Sequence, residues 1–437
     1  MKRAIVTSAG LVSLPISLVM GRDYLVLQNQ STNRSRSVDE VLSTPLACSA
    51  TRWYRLVRPF IFQIDPEIAH SGALIAGQFV GFIASGLVSV SNVFTSVVCG
   101  AANVLVGESR LMEAFSSGRK GRLVTTVNGI TYRSPVGLSA GFDKNGRLIK
   151  FFASNKFLFA SHCEIGSVSY YPWKGNPKPR LFRLPEDDAV INRMGLNNDG
   201  AEIVANRLSS ISLPCNGVRI GLNITKTPDP AIEGDEAVAD FVKSYNFVRF
   251  IDTVDWITLN ISCPNTAEGK TFEDVGALTS LLSALQDRDK CIHLKVAPIG
   301  SDSWRSEAMK IFDIAKKFNV SALVIANTVP DRNFSSLKSS LEILRERGGL
   351  SGRPIFERSI PLISEAFRND ITVVGVGGVF SGSDAYRLIK SGASLVQLYT
   401  ALVYEGPRVF RDIDNGLERL LILDGLTNIA QAVGKDV

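Results

Sequence analysis

Apolar and polar positions alternate in two textures along the chain. From about Ser134 onward, short apolar runs of strand length recur, separated by segments of helical length. They are Val136–Ser139, Glu164–Val168, Val218–Asn223, Trp256–Ile261, His293–Val296, Ala322–Ile325, Val373–Val376 and Leu395–Leu398. Eight strand–helix repeats over some 300 residues predict an α/β fold, a (β/α)8 TIM barrel. Before this region the texture differs. No Asp, Glu, Lys or Arg occurs from Ile68 to Gly107. Asp65-Pro66-Glu67 in front of that stretch predicts a helix start, with Pro near the first turn and acids at the positive end of the dipole.

The uncharged stretch gives an N-terminal helical extension. Leu74–Val90 is nearly long enough to span a bilayer, but its Gly, Ser and Gln content makes it only moderately apolar. A helical hairpin in the membrane interface fits as well as a span does, and a cap packed on the barrel is the plainer alternative. Ala4–Met20 is a second apolar run and reads as an anchor, the core of a signal peptide or part of a presequence. Residues 30–44 read as a linker. The predicted organisation is a targeting or anchor segment with linker over 1–51, a helical membrane-associated region over 52–118 and the barrel over 119–437. Basic residues outnumber acids before residue 60, which favours a mitochondrial presequence.

Composition removes several classes of function. The chain has 437 residues, is 45% apolar and carries a net charge of +6. No block of like charge or basic-aromatic interleaving points to nucleic acid. Arg119–Arg122 is a short basic cluster, a solvated surface or a contact for anionic lipid. Six cysteines stand singly and only three histidines occur, His70, His162 and His293. No metal spacing is present, so no metal is expected, and the thiols are expected to be reduced.

Chemistry collects where the apolar runs end. The first run leads into Ala140, Gly141 and Lys144. The others end at Ser167, at Asn223, at Asn260–Cys263, at Lys295, at Asn327–Thr328, at Gly377–Gly378 and at Tyr399–Thr400. TIM barrels place their chemistry at the C-terminal strand ends, so these residues share one rim. Glycines after the seventh strand, paired with the end of the eighth, suit a phosphorylated cofactor, although a glycine strand end is often only a tight turn. No GxGxxG opens a βαβ unit, which disfavours a nicotinamide dinucleotide. Lys144 and Lys295 suit negative charge on a reduced flavin or a carboxylate substrate. Asn192, Asn260, Asn265 and Asn327 suit a ring of alternating N–H and C=O groups. Cys263, among these amides, is a proton acceptor for an acidic C–H, or simply a small buried hydrophobe.

Taken together, these stretches closely resemble the dihydroorotate dehydrogenase family. The resemblance is carried by Ser134–Gly146, Glu164–Val168, Gly175–Pro185, Val190–Asn197, Asn260–Thr266, Gly348–Gly352, Gly375–Val379 and Gly392–Leu402. It implies FMN, held by Ala140, Gly141, Ser167, Asn192, Asn223, Asn260, Lys295, Ser351, Gly352, Gly377, Gly378, Tyr399 and Thr400. It implies dihydroorotate, converted to orotate, held by Lys144, Asn192, Met194, Gly195, Leu196, Asn260, Asn265, Asn327 and Thr328. Cys263 would be the catalytic base. The family has soluble members with Cys at the base and membrane-bound, quinone-reducing members with Ser. Here Cys263, Met194 and Leu196 resemble the first branch. Arg52–Leu56, Asp65–His70 and Phe182–Pro185 resemble the second. The uncharged helices favour the second, with ubiquinone as acceptor, membrane lipid as partner and His70, Arg183 and Tyr399 at the end of the quinone path. That branch implies the mitochondrial inner membrane or, alternatively, a bacterial cytoplasmic membrane. The open alternatives are a fumarate- or NAD-linked dihydroorotate oxidase, a flavin barrel for another dihydropyrimidine and a membrane-tethered flavoprotein without catalysis. Oligomeric state is not fixed by the sequence.

Overall fold

The structure is a computed structural model that describes residues 54, 56–87, 121–154, 160–211, 217–262, 272, 274–285, 289–297, 304–330 and 337–437. The chain divides into two compact units, Met1–Ile61 and Phe62–Val437. Of the first, Tyr54 and Leu56–Ile61 are described, in helical conformation. The predicted boundaries at 51 and 118 fall among residues outside the description.

In the second unit the eight predicted apolar runs become eight parallel strands. They are β3 (Val136–Leu138), β4 (His162–Val168), β7 (Arg219–Ile224), β8 (Trp256–Asn260), β9 (Cys291–Lys295), β10 (Ala322–Ile325), β12 (Val373–Val376) and β13 (Ala393–Leu398). They close a barrel in the order β10-β12-β13-β3-β4-β7-β8-β9. The strands are apolar because both faces are covered, the outer by helices and the inner by side chains of the lumen. Among the covering helices, α4 (Gly234–Val248) buries Phe241, Tyr245 and Val248, and α5 (Val275–Ala284) buries Leu278, Leu281 and Leu282. Asp274 caps α5 by accepting from the backbone N–H groups of Gly276 and Ala277, at 2.9 and 3.1 Å.

The N-terminal end of the barrel is closed by a hairpin, β1 (Thr125–Val127) and β2 (Ile130–Tyr132). Its turn is Asn128-Gly129, with φ of 50° and 77°, the left-handed pair that a tight hairpin turn requires. Asn128 Nδ2 donates to the Ser321 carbonyl at 2.8 Å and ties the hairpin to the entry of β10. Inside this end, Tyr132 meets His162 edge-on at 5.4 Å, and Trp256 stacks on His293 at 5.6 Å. Two glycines leave room for these rings. A Cβ on Gly137 would stand 2.2 Å from the His162 imidazole, and one on Gly221 would stand 2.1 Å from the Trp256 indole.

Two further pieces shape the other end. A three-stranded antiparallel sheet, β5 (Leu181–Leu184), β6 (Ala189–Asn192) and β11 (Gly349–Gly352), has the order β11-β6-β5. Helix α1 runs over Pro66–Leu87 and begins where predicted, because Asp65 Oδ1 accepts from the N–H groups of Glu67 and Ile68 at 2.9 and 3.0 Å. Gly77 lets α1 approach Leu148, in front of α2 (Ile149–Ser154). Among the described residues no helix is long and apolar enough to cross a membrane. Residues 4–20 and 88–107, which also entered the membrane reading, lie outside the description.

Candidate active site

A cavity of about 430 Å³ opens at the C-terminal end of the barrel, within the size range of small-molecule and cofactor sites. The predicted rim residues converge on it. Lys144, Asn192, Met194, Gly195, Leu196, Asn260, Asn327 and Thr328 line it, as do Ala140, Gly141, Ser167, Lys295, Ser351, Gly352, Gly377, Gly378, Tyr399 and Thr400. His70, on α1, lines the same cavity. Two predicted residues stand back from the lining. Asn223 is wholly buried and donates to Glu164 Oε1 at 2.8 Å. Arg183 lies with its guanidinium 4.6 Å from the centre of the Phe62 ring and donates to the Ile64 carbonyl. Phe62 and Ile64 belong to the segment that enters α1. Cys263 and Asn265 lie outside the described residues.

Each side chain owes its place to local bonding. The loop after β3 carries Lys144 and is organised around Asp143. That carboxylate is buried and accepts the N–H groups of Leu148, Arg147 and Asn145 at 2.7, 2.9 and 3.3 Å. Burial pushes its pKa up, while these backbone donors pull against the rise. Asn145 Oδ1 accepts from the Asp199 N–H at 2.9 Å, which ties the Lys144 loop to the segment after Asn198. On β8, Asn260 Nδ2 donates to Ser167 Oγ at 2.9 Å across the barrel. Asn327 follows β10 and donates to the Ser262 carbonyl at 3.2 Å. Ser262 in turn donates to the Lys295 carbonyl at 3.0 Å. Thr400 Oγ1 donates to Ser351 Oγ at 2.9 Å and joins the end of β13 to the small sheet.

The wall facing α1 is shaped by strain and by the ion pairs of Glu67 with Arg180 and Lys178. Gly195 and Leu196 are consecutive left-handed residues, with φ of 70° and 59°. For Leu this conformation costs on the order of 1–3 kcal/mol, and such positions gather at functional sites. Arg180, almost fully buried, clamps Glu67 of α1 with two of its nitrogens, Nη2 and Nε, at 2.7 and 3.2 Å. Its remaining nitrogen donates to the carbonyls of Lys174 and Asn176 at 2.8 and 2.9 Å. The Arg180 hydrogen bond holds the Glu67 carboxyl below its ordinary pKa, against the opposing effect of burial. His70 sits edge-on to Phe142 at 4.9 Å, and Phe142 sits edge-on to Tyr399 at 5.9 Å. Burial, helped by the charge of Lys144, pulls the His70 pKa down. Burial pushes the Tyr399 hydroxyl up to about 12. The site therefore holds a neutral imidazole and a neutral phenol, with Lys144 and Lys295 lining the same cavity.

Sequence reasoning missed some of this wall. Glu164 and Gln397 were read as parts of apolar runs, yet Gln397 Nε2 donates to Glu164 Oε2 at 3.0 Å inside the barrel. Only the charge of Glu164 within an apolar run marked it. Asn198 was also missed. It is buried and holds Ser169 Oγ at 2.8 Å and the Leu196 carbonyl at 2.8 Å. Among the described residues no cluster of three or more His, Cys, Asp or Glu is placed to hold a metal.

The donor set fits a flavin nucleotide. Asn260 Oδ1 is a buried acceptor with no partner among the described residues, which suits a ring N–H. Gly377 and Gly378 both have positive φ, at 124° and 70°, and leave backbone bare at the rim between β12 and β13.

Comparison with known proteins converges on one family. The dihydroorotate dehydrogenase family profile matches residues 122–421. A dihydroorotate dehydrogenase (quinone) of Natronomonas pharaonis is 36% identical over 387 residues, covering 88% of this chain and 99% of the relative. The Halobacterium salinarum protein of the same name is 40% identical over 318 residues, covering 72% and 87%. A crystal structure of the Eimeria tenella enzyme in complex with ferulenol superposes with a TM-score of 0.69 at 28% identity, covering 85% of this chain and 96% of that one. The ligand-free enzyme of the same organism gives 0.65 at 30% identity, covering 72% and 92%. The two sequence relatives named are archaeal, so they lend no support to a mitochondrial location.

Proposed function

Because the chain belongs to the dihydroorotate dehydrogenase family and is an oxidoreductase, we propose that it oxidises dihydroorotate to orotate in pyrimidine biosynthesis, with FMN on the barrel rim and a membrane quinone as final acceptor. One observation carries this reading. Lys144, Asn192, Asn260, Asn327 and Lys295 meet around a single cavity whose remaining wall includes Glu67, His70 and Leu74 of α1. This supports a polar anchor for a carboxylated ring in a chamber that α1 also borders, the side from which a quinone would approach.

Ser167, Lys295, Ser351, Gly352, Gly377, Gly378, Tyr399 and Thr400 would hold the FMN, with Asn223 supporting from beneath. When bound, FMN supplies a two-electron acceptor for hydride. The Lys144 ammonium binds the substrate carboxylate, and the asparagine amides match the alternating N–H and C=O edge of the ring. Cys263 takes the proton from the carbon beside the substrate carbonyl. A free thiol is a few per cent ionised at neutral pH, so this base needs less help than a serine would. Met194–Leu196 and α1 would border the reacting face.

The decisive experiment is anaerobic mixing of the purified protein with dihydroorotate, followed by addition of ubiquinone. The flavin absorbance should bleach and then recover. Bleaching without recovery by quinone, but with recovery by fumarate or NAD, would identify the soluble-type acceptor. No bleaching would overturn the substrate. Cys263→Ala should keep FMN and lose about 10²–10⁴-fold in the rate of flavin reduction. Cys263→Ser should retain part of the rate, with its pH profile moved upward.

A further inference from the structure

Beneath the cavity floor lies a buried acid to which the proposed reaction gives no role. Glu164 of β4 is wholly buried. Oε1 accepts from Asn223 Nδ2 of β7 at 2.8 Å, and Oε2 accepts from Gln397 Nε2 of β13 at 3.0 Å. Each carboxylate oxygen takes an amide N–H, which is the bonding pattern of the ionised acid. The far ends of both amides are left unmatched. Asn223 Oδ1 and Gln397 Oε1 are buried and have no hydrogen-bond partner among the described residues.

This network sits one layer below the floor. Gln397 immediately precedes Leu398 and Tyr399, which line the cavity. Asn223 pairs in register with Thr258, two residues before the lining residue Asn260. Glu164 comes three residues before Ser167 on the same strand. At about 3.3 Å per strand residue, a fixed charge here lies within range of anything seated on the floor. The closed interior screens it far less than water would. Lys295, also almost buried, lines the cavity on the opposite side of the floor.

We propose that Glu164 is a positioning residue that tunes the bound flavin. It locks the orientation of the Asn223 and Gln397 amides and holds a negative charge under the cofactor, which disfavours added electrons. This rests on the FMN reading above. A simple brace across three strands would support the barrel without moving the cofactor's redox equilibrium.

The test uses the full-length protein purified with its flavin, with midpoint potential as the readout and thermal melting as the control. In Glu164→Gln the carboxamide has a single acceptor, so one neighbouring amide must turn over and the charge is lost. The ratio of reduced to oxidised flavin at a fixed potential should rise at least tenfold, about 30 mV for a two-electron couple. In the exchange variant Glu164→Gln/Gln397→Glu, the carboxylate moves to β13 and the amide to β4. The charge is restored, both hydrogen bonds form without an amide turning over, and the potential should return to that of the wild type. A shift below tenfold in the single variant overturns the proposal, as does an exchange variant that fails to restore the potential. If Glu164→Gln does not fold, restoration by the exchange variant supports the proposal and failure of both overturns it. A wild-type protein that carries no flavin would instead overturn the FMN reading, before any variant is compared.

Discussion

The two ends of the barrel bury polar groups in different ways. At the C-terminal end the amides of Asn223, Asn260 and Gln397 each donate to a named partner and leave an acceptor oxygen unmatched. At the N-terminal end His162, His293 and Trp256 are packed ring against ring, and none of their side-chain nitrogens has a hydrogen-bond partner among the described residues. The first arrangement fixes direction and leaves specific vacancies in hydrogen bonding, which is what recognition requires. The second fills space, and its polar atoms are tolerated because the rings are neutral and closely packed. One end is therefore expected to govern chemistry and the other stability.

Acid should separate the two ends most strongly. Burial depresses the pKa of both His162 and His293 to about 3, and for His162 the neighbouring His293 adds to the effect. Both are neutral when folded, whereas the unfolded chain takes up protons below its ordinary value of about 6.5. Their contribution is complete above that pH and is lost as pH falls towards 3. The slope is about 1.4 kcal/mol per pH unit for each histidine. Denaturant titrations at pH 7, 6 and 5 should show it, and His293→Phe should halve it. Removing the large ring at this end comes next. Trp256→Ala should destabilise the fold by about 3–5 kcal/mol in the same titrations, with dihydroorotate affinity unchanged in whatever protein remains folded.

At the other end the signs reverse. Lys144→Ala should lower kcat/KM about 10²–10³-fold, with a melting temperature like that of the wild type. A large loss of stability in that variant would blur the division. The smallest effect belongs to the link between α1 and the rim. Glu67→Gln, which keeps one acceptor for Arg180, should cost about 1.5–3 kcal/mol and remove an acid-sensitive step from melting curves. The depressed Glu67 pKa means that the ion pair stabilises the fold above about 4.5 and is lost as pH falls through the lower folded value.

How much of this could be read from the sequence follows from how local each signal was. All eight barrel strands appear as apolar runs, because a strand covered on both faces is predominantly apolar. The rim residues follow at once, since strand ends in such a barrel share one face. The hairpin β1–β2 was missed although Asn128-Gly129 announces it. Its strands have three residues each, too short for a periodicity argument. The sheet β11-β6-β5 was not legible. Gly349–Gly352 contains one large apolar residue, and its partner β6 lies more than 150 residues away in the chain. Glu164 escaped because burial of a charge is decided by partners on two other strands. Arg180, taken as part of a family motif, gave no hint that it would grip a helix 113 residues upstream.

That small sheet has a consequence for exchange of parts between relatives. Its strands come from two separate excursions, Leu181–Asn192 and Gly349–Gly352, which complete one wall only when paired residue by residue. A chimaera that transplants either excursion alone would inherit a mismatched edge. Any change of ligand preference grafted from a homologue must therefore carry both segments together, however far apart they lie in the gene.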